Sequence, residues 1–110
     1  MYLLFDIGGT KMRLAVSRDG KNLSRQKIFL TPKRFEDGIR VFKNFAKDAK
    51  GSEKIKAVCG GIAGTFNKDK TKLLWSSNLR GWERKPLEAR LKKLFRAPVF
   101  IENDADLAGL

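Results

Sequence analysis

At 110 residues the chain has the length of one ordinary domain, and with 42% hydrophobic and 33% charged residues it can build a core rather than remain disordered. Its longest apolar runs are strand-sized, its N-terminus lacks the basic and apolar regions of a secretory signal, and a single cysteine, Cys59, leaves no internal disulfide, so the sequence predicts a soluble cytoplasmic protein with no membrane partner. A balance of 24 Lys+Arg against 12 Asp+Glu, net +12, raises nucleic acid as a partner, yet the cations are scattered among acids without an RNA-recognition strand motif, zinc-finger spacing or long basic block, and read as a solvated basic surface.

The opening "MYLLFDIGGTKMRLAVSRDG" predicts a strand over Tyr2–Ile7, a tip of Gly8, Gly9, Thr10 and Lys11, and a second strand over Met12–Ser17. Asp19-Gly20 marks the turn into a third strand, Ser24–Leu30, completing an antiparallel meander that Thr31-Pro32 ends. Gly8-Gly9 can be read as a plain hairpin turn, glycine supplying the positive φ. That reading leaves Asp6 and Thr10 unexplained. A tip that handles phosphate explains them. Glycines let backbone N–H groups approach an anion, Thr10 adds a hydroxyl, and Asp6 can hold a magnesium ion directly or through water. The motif is not a Walker A loop, because it leads into a strand rather than a helix.

A helix follows over Phe35–Lys50, where Phe35, Ile39, Phe42, Phe45, Ala46 and Ala49 share one face. "EKIKAVCGGIAG" predicts a buried strand, Ile55–Cys59, running into a glycine-rich turn over Gly60–Thr65, with Cys59 as a small buried hydrophobe. "NKDKTKLLWSSN" reads as a short excursion ending in a strand or loop. "KPLEARLKKLF" is a second helix with Pro86 near its start and Leu87, Leu91, Leu94 and Phe95 inward. The last strand, Val99–Ile101, runs into Glu102, Asn103 and Asp104. There "ADLAGL" begins as a helix would, with Asn103 or Asp104 placed to cap it. The order βββαβα-β, then a helix start, predicts an α/β fold: a mixed five-stranded sheet with helices on its faces.

Ligands of open α/β sheets gather beyond the carboxyl ends of strands. Three ends here carry suggestive residues: Asp6 to Lys11, Gly60 to Thr65, and Glu102 to Asp104. If they converge, they form a cleft with two carboxylates and two glycine-rich segments.

Four ordered motifs, "DIGGTK", "GGIAGTFN", "SNLRGW" and "ENDADLAG", resemble the N-terminal lobe of ROK-family sugar kinases. These are bacterial-type glucokinases and their relatives, in the actin, Hsp70 and hexokinase superfamily of ribonuclease-H-like folds. The resemblance covers nearly the whole chain and implies an actin-like ATPase lobe (βββαβαβα). It implies an ATP-dependent kinase that phosphorylates a hexose hydroxyl, with glucose to glucose 6-phosphate as the leading reaction. By position, Asp6, Gly8, Gly9, Thr10 and Lys11 match the first phosphate motif, facing ATP and Mg2+. Gly64, Asn78 and Asn103 match positions at the sugar, and Asp104 matches the general base. Ala63 stands where many relatives have Pro, and Asp106 where Asn is common. An acid at 106 would raise the pKa of Asp104 by like-charge proximity.

Relatives continue into a second lobe that supplies the adenosine site, more sugar contacts and often a zinc site. A structural zinc is therefore implied only in that missing C-terminal lobe, and the chain alone is expected to be inactive and prone to self-association or homo-oligomer formation. Two other classes share some of these features. A sugar-sensing regulator of the same family carries a helix-turn-helix segment before the first strand, for which a strand beginning at residue 2 leaves no room. A non-catalytic basic binding module suits the +12 charge but not Asp6 and Asp104.

Overall fold

Alternating apolar residues build the first hairpin. In the computed structural model, which describes residues 1–66, 73–75 and 79–103, β1 (Tyr2–Ile7) and β2 (Lys11–Ser17) pair antiparallel, Phe5 opposite Leu14 and Asp6 opposite Arg13. β3 (Arg25–Leu30) pairs with the other edge of β2. The turn between them is fastened by Asp19, whose carboxylate oxygen accepts the N–H groups of Lys21 and Asn22, both at 2.8 Å. Those bonds, Asn22's foremost, hold the Asp19 carboxyl well below the ordinary carboxylate range.

The chain then crosses through α1 (Phe35–Lys50) to β4 (Ala57–Ile62), which lies parallel to β1. β5 (Thr65–Phe66) and β6 (Leu73–Trp75) form a separate antiparallel pair; β6 is the strand expected within the short excursion, and β5 falls where a glycine-rich turn was expected. A tight turn, Arg80–Trp82, leads to α2 (Leu87–Phe95) and to β7 (Val99–Asn103), parallel to β4. The main sheet has five strands in the order β3-β2-β1-β4-β7 and is mixed, as expected.

The fourth strand runs further than its glycines suggest. It continues through Gly60 and Gly61 to Ile62, and the turn is confined to Ala63 and Gly64, where Gly64 has φ 135°. Gly60 serves packing: a Cβ there would lie 2.0 Å from the Phe5 carbonyl oxygen. The space beside it belongs to the Phe5 ring, which meets Phe42 edge-on at 5.5 Å.

One face of the sheet makes the core. Leu3, Phe5 and Ile7 of β1, Met12, Leu14 and Val16 of β2, and Val58 and Ile62 of β4 are buried. They pack in one cluster with Phe35, Ile39, Phe42, Phe45 and Ala46 of α1 and Leu87 and Leu91 of α2. Both helices lie on this face and touch each other. Glu36 and Arg90 form an ion pair between them. The opposite face carries Leu4, Asp6, Arg13, Ala15, Cys59, Phe100 and Glu102, aligned across the strands by register. Cys59 is therefore not a core residue: its parity opposes that of buried Val58, and it sits half-buried between Leu4 and Phe100. Burial raises its thiol pKa. Among the described residues no helix is long and apolar enough to cross a membrane.

Trp82, from "SNLRGW", is 1% exposed and belongs to the scaffold. Its indole N–H donates to the Pro32 carbonyl at 2.8 Å, and its ring meets Phe35 edge-on at 5.6 Å. Gly38 makes room for it inside α1: a Cβ at Gly38 would lie 2.2 Å from the indole.

Candidate functional site

Because β1, β4 and β7 run parallel, their carboxyl ends emerge on one side of the sheet. Asp6 aligns with Gly61, which aligns with Glu102, and Ile62 aligns with Asn103. Asp6 and Glu102 thus share one row on the open face, about 10 Å apart at two strand spacings, with no side chain between them.

The tip beyond β1 is braced on three sides. The Gly8 N–H donates to the Lys11 carbonyl at 2.9 Å, closing the hairpin. The Ala63 N–H donates to the Ile7 carbonyl at 2.9 Å, fastening the second glycine-bearing turn to the first. Thr31 holds the far side: its N–H donates to the Thr10 carbonyl at 2.9 Å and its hydroxyl to the Gly8 carbonyl at 2.8 Å. These bonds take up carbonyls. The N–H groups of Gly9 and Thr10 make no hydrogen bond among the described residues, so they stay available to an anion.

The segment is a hairpin turn, but neither Gly8 nor Gly9 has a positive φ, so backbone conformation is not what calls for glycine there. At Gly8 the constraint is space, since a Cβ would lie 3.1 Å from the Lys11 carbonyl oxygen. Asp6, Thr10 and Lys11 are exposed and Gly8 and Gly9 half-buried, so the whole tip is open to a ligand. Magnesium usually takes one or two carboxylates and otherwise phosphate oxygens and water. Among the described residues of the tip, one carboxylate with N–H groups that make no hydrogen bond fits that pattern. Among the described residues no three His, Cys, Asp or Glu side chains gather as a protein-built metal cage.

The structure brings together Asp6, Gly8, Gly9, Thr10 and Lys11, and joins the Gly64 turn to them. Asn103 ends β7 at the same side of the sheet, two strands away. Asn78 and Asp104 lie outside the described residues. Sequence reasoning missed Thr31, reading Thr31-Pro32 only as a strand terminator. The signal was a hydroxyl placed where the third strand ends beside the tip.

The chain is 32% identical over 105 residues to the glucokinase of Streptomyces coelicolor, covering 94% of this chain and 32% of that protein. It is 30% identical over 112 residues to the N-acetyl-D-glucosamine kinase of Histophilus somni, covering 100% and 36%. Among solved structures it matches a ROK family glucokinase from Streptomyces griseus in complex with glucose and AMPPNP, with TM-score 0.78 and 27% identity over 97% of this chain and 35% of that one. It also matches the ROK hexokinase of Thermus thermophilus, with TM-score 0.82 and 28% identity over 97% and 36%. These neighbours establish the actin-like ATPase fold, and the chain spans about a third of the length of each relative. The sequence pattern of the family matches residues 2–110, and the chain belongs to the ROK family.

Proposed function

We propose that the chain is the N-terminal lobe of a sugar kinase that transfers the γ-phosphoryl group of ATP to a hexose hydroxyl. The observation that carries this reading is the tip itself: in a chain of the ROK family, the N–H groups of Gly9 and Thr10, which make no hydrogen bond among the described residues, follow exposed Asp6, and the Ala63 N–H fastens the neighbouring turn to the Ile7 carbonyl. Asp6 would hold magnesium, directly or through water, and Gly8 to Lys11 would face the phosphates. Magnesium, when bound, neutralises phosphate charge as it builds up. Gly64, Asn78 and Asn103 would position the sugar, since Asn supplies the donor and acceptor that a hydroxyl pairs with. Asp104 would take the proton of the attacking hydroxyl as its oxygen bonds to the γ-phosphorus and the bond to the ADP oxygen breaks.

Glucose, giving glucose 6-phosphate, is the first substrate in this reading, supported by similarity to glucokinases; N-acetylglucosamine is the second, supported by the N-acetyl-D-glucosamine kinase. ATP and free hexose as substrates suit a cytoplasmic protein. The adenosine site, further sugar contacts and any structural zinc would belong to a second lobe, in keeping with a chain that spans a third of its relatives.

The test is sugar-dependent ADP release by the gene product purified from its own cells, with glucose and N-acetylglucosamine offered separately. Asp104→Asn should lower kcat by roughly 100- to 10,000-fold, the usual span for a lost general base. ADP release that needs no sugar, or full activity in Asp104→Asn, would overturn the reading.

A further inference from the structure

We propose that a cleft between the start of α1 and the start of α2 binds a phosphorylated small molecule, at a site separate from the tip. Lys33, Arg34, Lys85 and Arg90 line it together with Glu36, four cations and one carboxylate, a net charge of +3 in a cavity of about 370 Å³. That volume suits a small ligand. The concavity is too small for the long basic track a nucleic acid requires.

The charges are not balanced within the protein. Arg90 is committed to Glu36, and each holds the other charged: the hydrogen bond and attraction lower the Glu36 pKa and raise that of Arg90. Lys33 and Arg34 have no ion pair among the described residues, and Lys85 makes none at contact distance, although its charge helps lower the Glu36 pKa; Arg18, Arg40 and Lys92 each face a carboxylate. Gathering unneutralised like charges in one concavity opposes folding. A ligand bearing two or more negative charges removes that repulsion, and phosphate suits both the guanidinium fork and the lysine point charge.

The wall is also preformed. The Lys33 carbonyl packs so closely on Gly81 that a Cβ there would lie 2.0 Å from it, and Trp82 fixes Pro32 through its indole N–H. The backbone of the wall is thus set before binding, and the ordering left is that of the exposed Lys33, Arg34 and Lys85 side chains. The cleft is close to the tip along the chain, since Thr31, which grips Gly8 and Thr10, is two residues before Lys33.

The experiment is calorimetric titration of the gene product with inorganic tripolyphosphate and, separately, with glucose 6-phosphate. Both are run with EDTA, so that no magnesium assists the tip, at physiological ionic strength. Wild type should bind at least one of them. The triple variant Lys33→Gln, Arg34→Gln, Lys85→Gln should lose roughly tenfold or more in affinity, and a triple variant of equal charge elsewhere (Lys21→Gln, Lys43→Gln, Lys47→Gln) less than about threefold. Glu36→Gln should tighten binding, because it frees Arg90 and removes the one repelling charge; a damaged fold would not produce that gain. Tripolyphosphate alone binding would mark the ligand as a phosphate chain, and glucose 6-phosphate alone as a sugar phosphate. Binding of neither, equal losses in the two triple variants, or weaker binding in Glu36→Gln would overturn the proposal.

Discussion

At Gly60 a single hydrogen decides the packing. A Cβ would meet the Phe5 carbonyl oxygen at 2.0 Å and the Phe5 Cγ at 2.5 Å, one a strand backbone and the other a ring wedged on Phe42. Gly60→Ala should therefore destabilise the fold by about 3 kcal/mol or more, at the upper end of overpacking costs. Chemical denaturation reads this directly, and an unchanged midpoint would mean that Phe5 can move aside. Asp19 allows a second test. Its carboxyl titrates lower in the folded chain than in the unfolded one, so its contribution is whole above the ordinary aspartate pKa of about 4 and is lost as pH falls toward the depressed folded value. Asp19→Ala should lower the denaturation midpoint near neutrality and flatten its decline below about pH 4. A decline as steep as in wild type would remove Asp19 from the account. At this scale the place of Asp6 at the end of β1 was legible from the apolar run before it, and the structure leaves it exposed opposite Arg13. Thr31 was not legible, because its value lies in two carbonyls, Gly8 and Thr10, that folding brings to it from more than twenty residues away.

For α1 the helical period of Phe35, Ile39, Phe42, Phe45, Ala46 and Ala49 marks the inner face, and for α2 that of Leu87, Leu91, Leu94 and Phe95, with Ala49, Leu94 and Phe95 only partly buried. The apolar runs of β1 and β2 marked them as strands with buried positions, whereas β3 was legible as a strand but has no buried residue. The end of β4 escaped, since a glycine pair reads as a turn until the register shows an aromatic ring over Gly60. Gly38 makes a sharper case. A glycine inside a helix ordinarily costs about 1 kcal/mol relative to alanine. Here the sign should reverse, because the added Cβ would strike the Trp82 indole. Gly38→Ala should destabilise by roughly 1–3 kcal/mol. In a double-mutant cycle, Trp82→Phe should cost less in the Gly38→Ala background than alone, since the smaller ring leaves space. Additive losses would show that the two positions do not compete for one volume.

The whole molecule covers one face of its sheet and leaves apolar groups exposed elsewhere. Phe100 is 58% exposed on the side away from the helices, and Leu23, Ile28 and Leu30 are also exposed. Such surface favours association, and the isolated chain should sediment with a mass that rises with concentration, less so in Phe100→Ser. A strictly monomeric profile at high concentration would refute this. The same 110 residues alone should show no sugar-dependent ADP release, as only one wall of the proposed cleft is built from them. Activity of the isolated chain that Asp104→Asn abolishes would overturn this expectation. Thr31 clasps the tip while the neighbouring Pro32 takes the indole proton of Trp82, so tip and pre-α2 turn are riveted to one short strut. A kinase that shuts on its substrates would have to swing this jaw as a single piece, and the hinge must lie outside the strut.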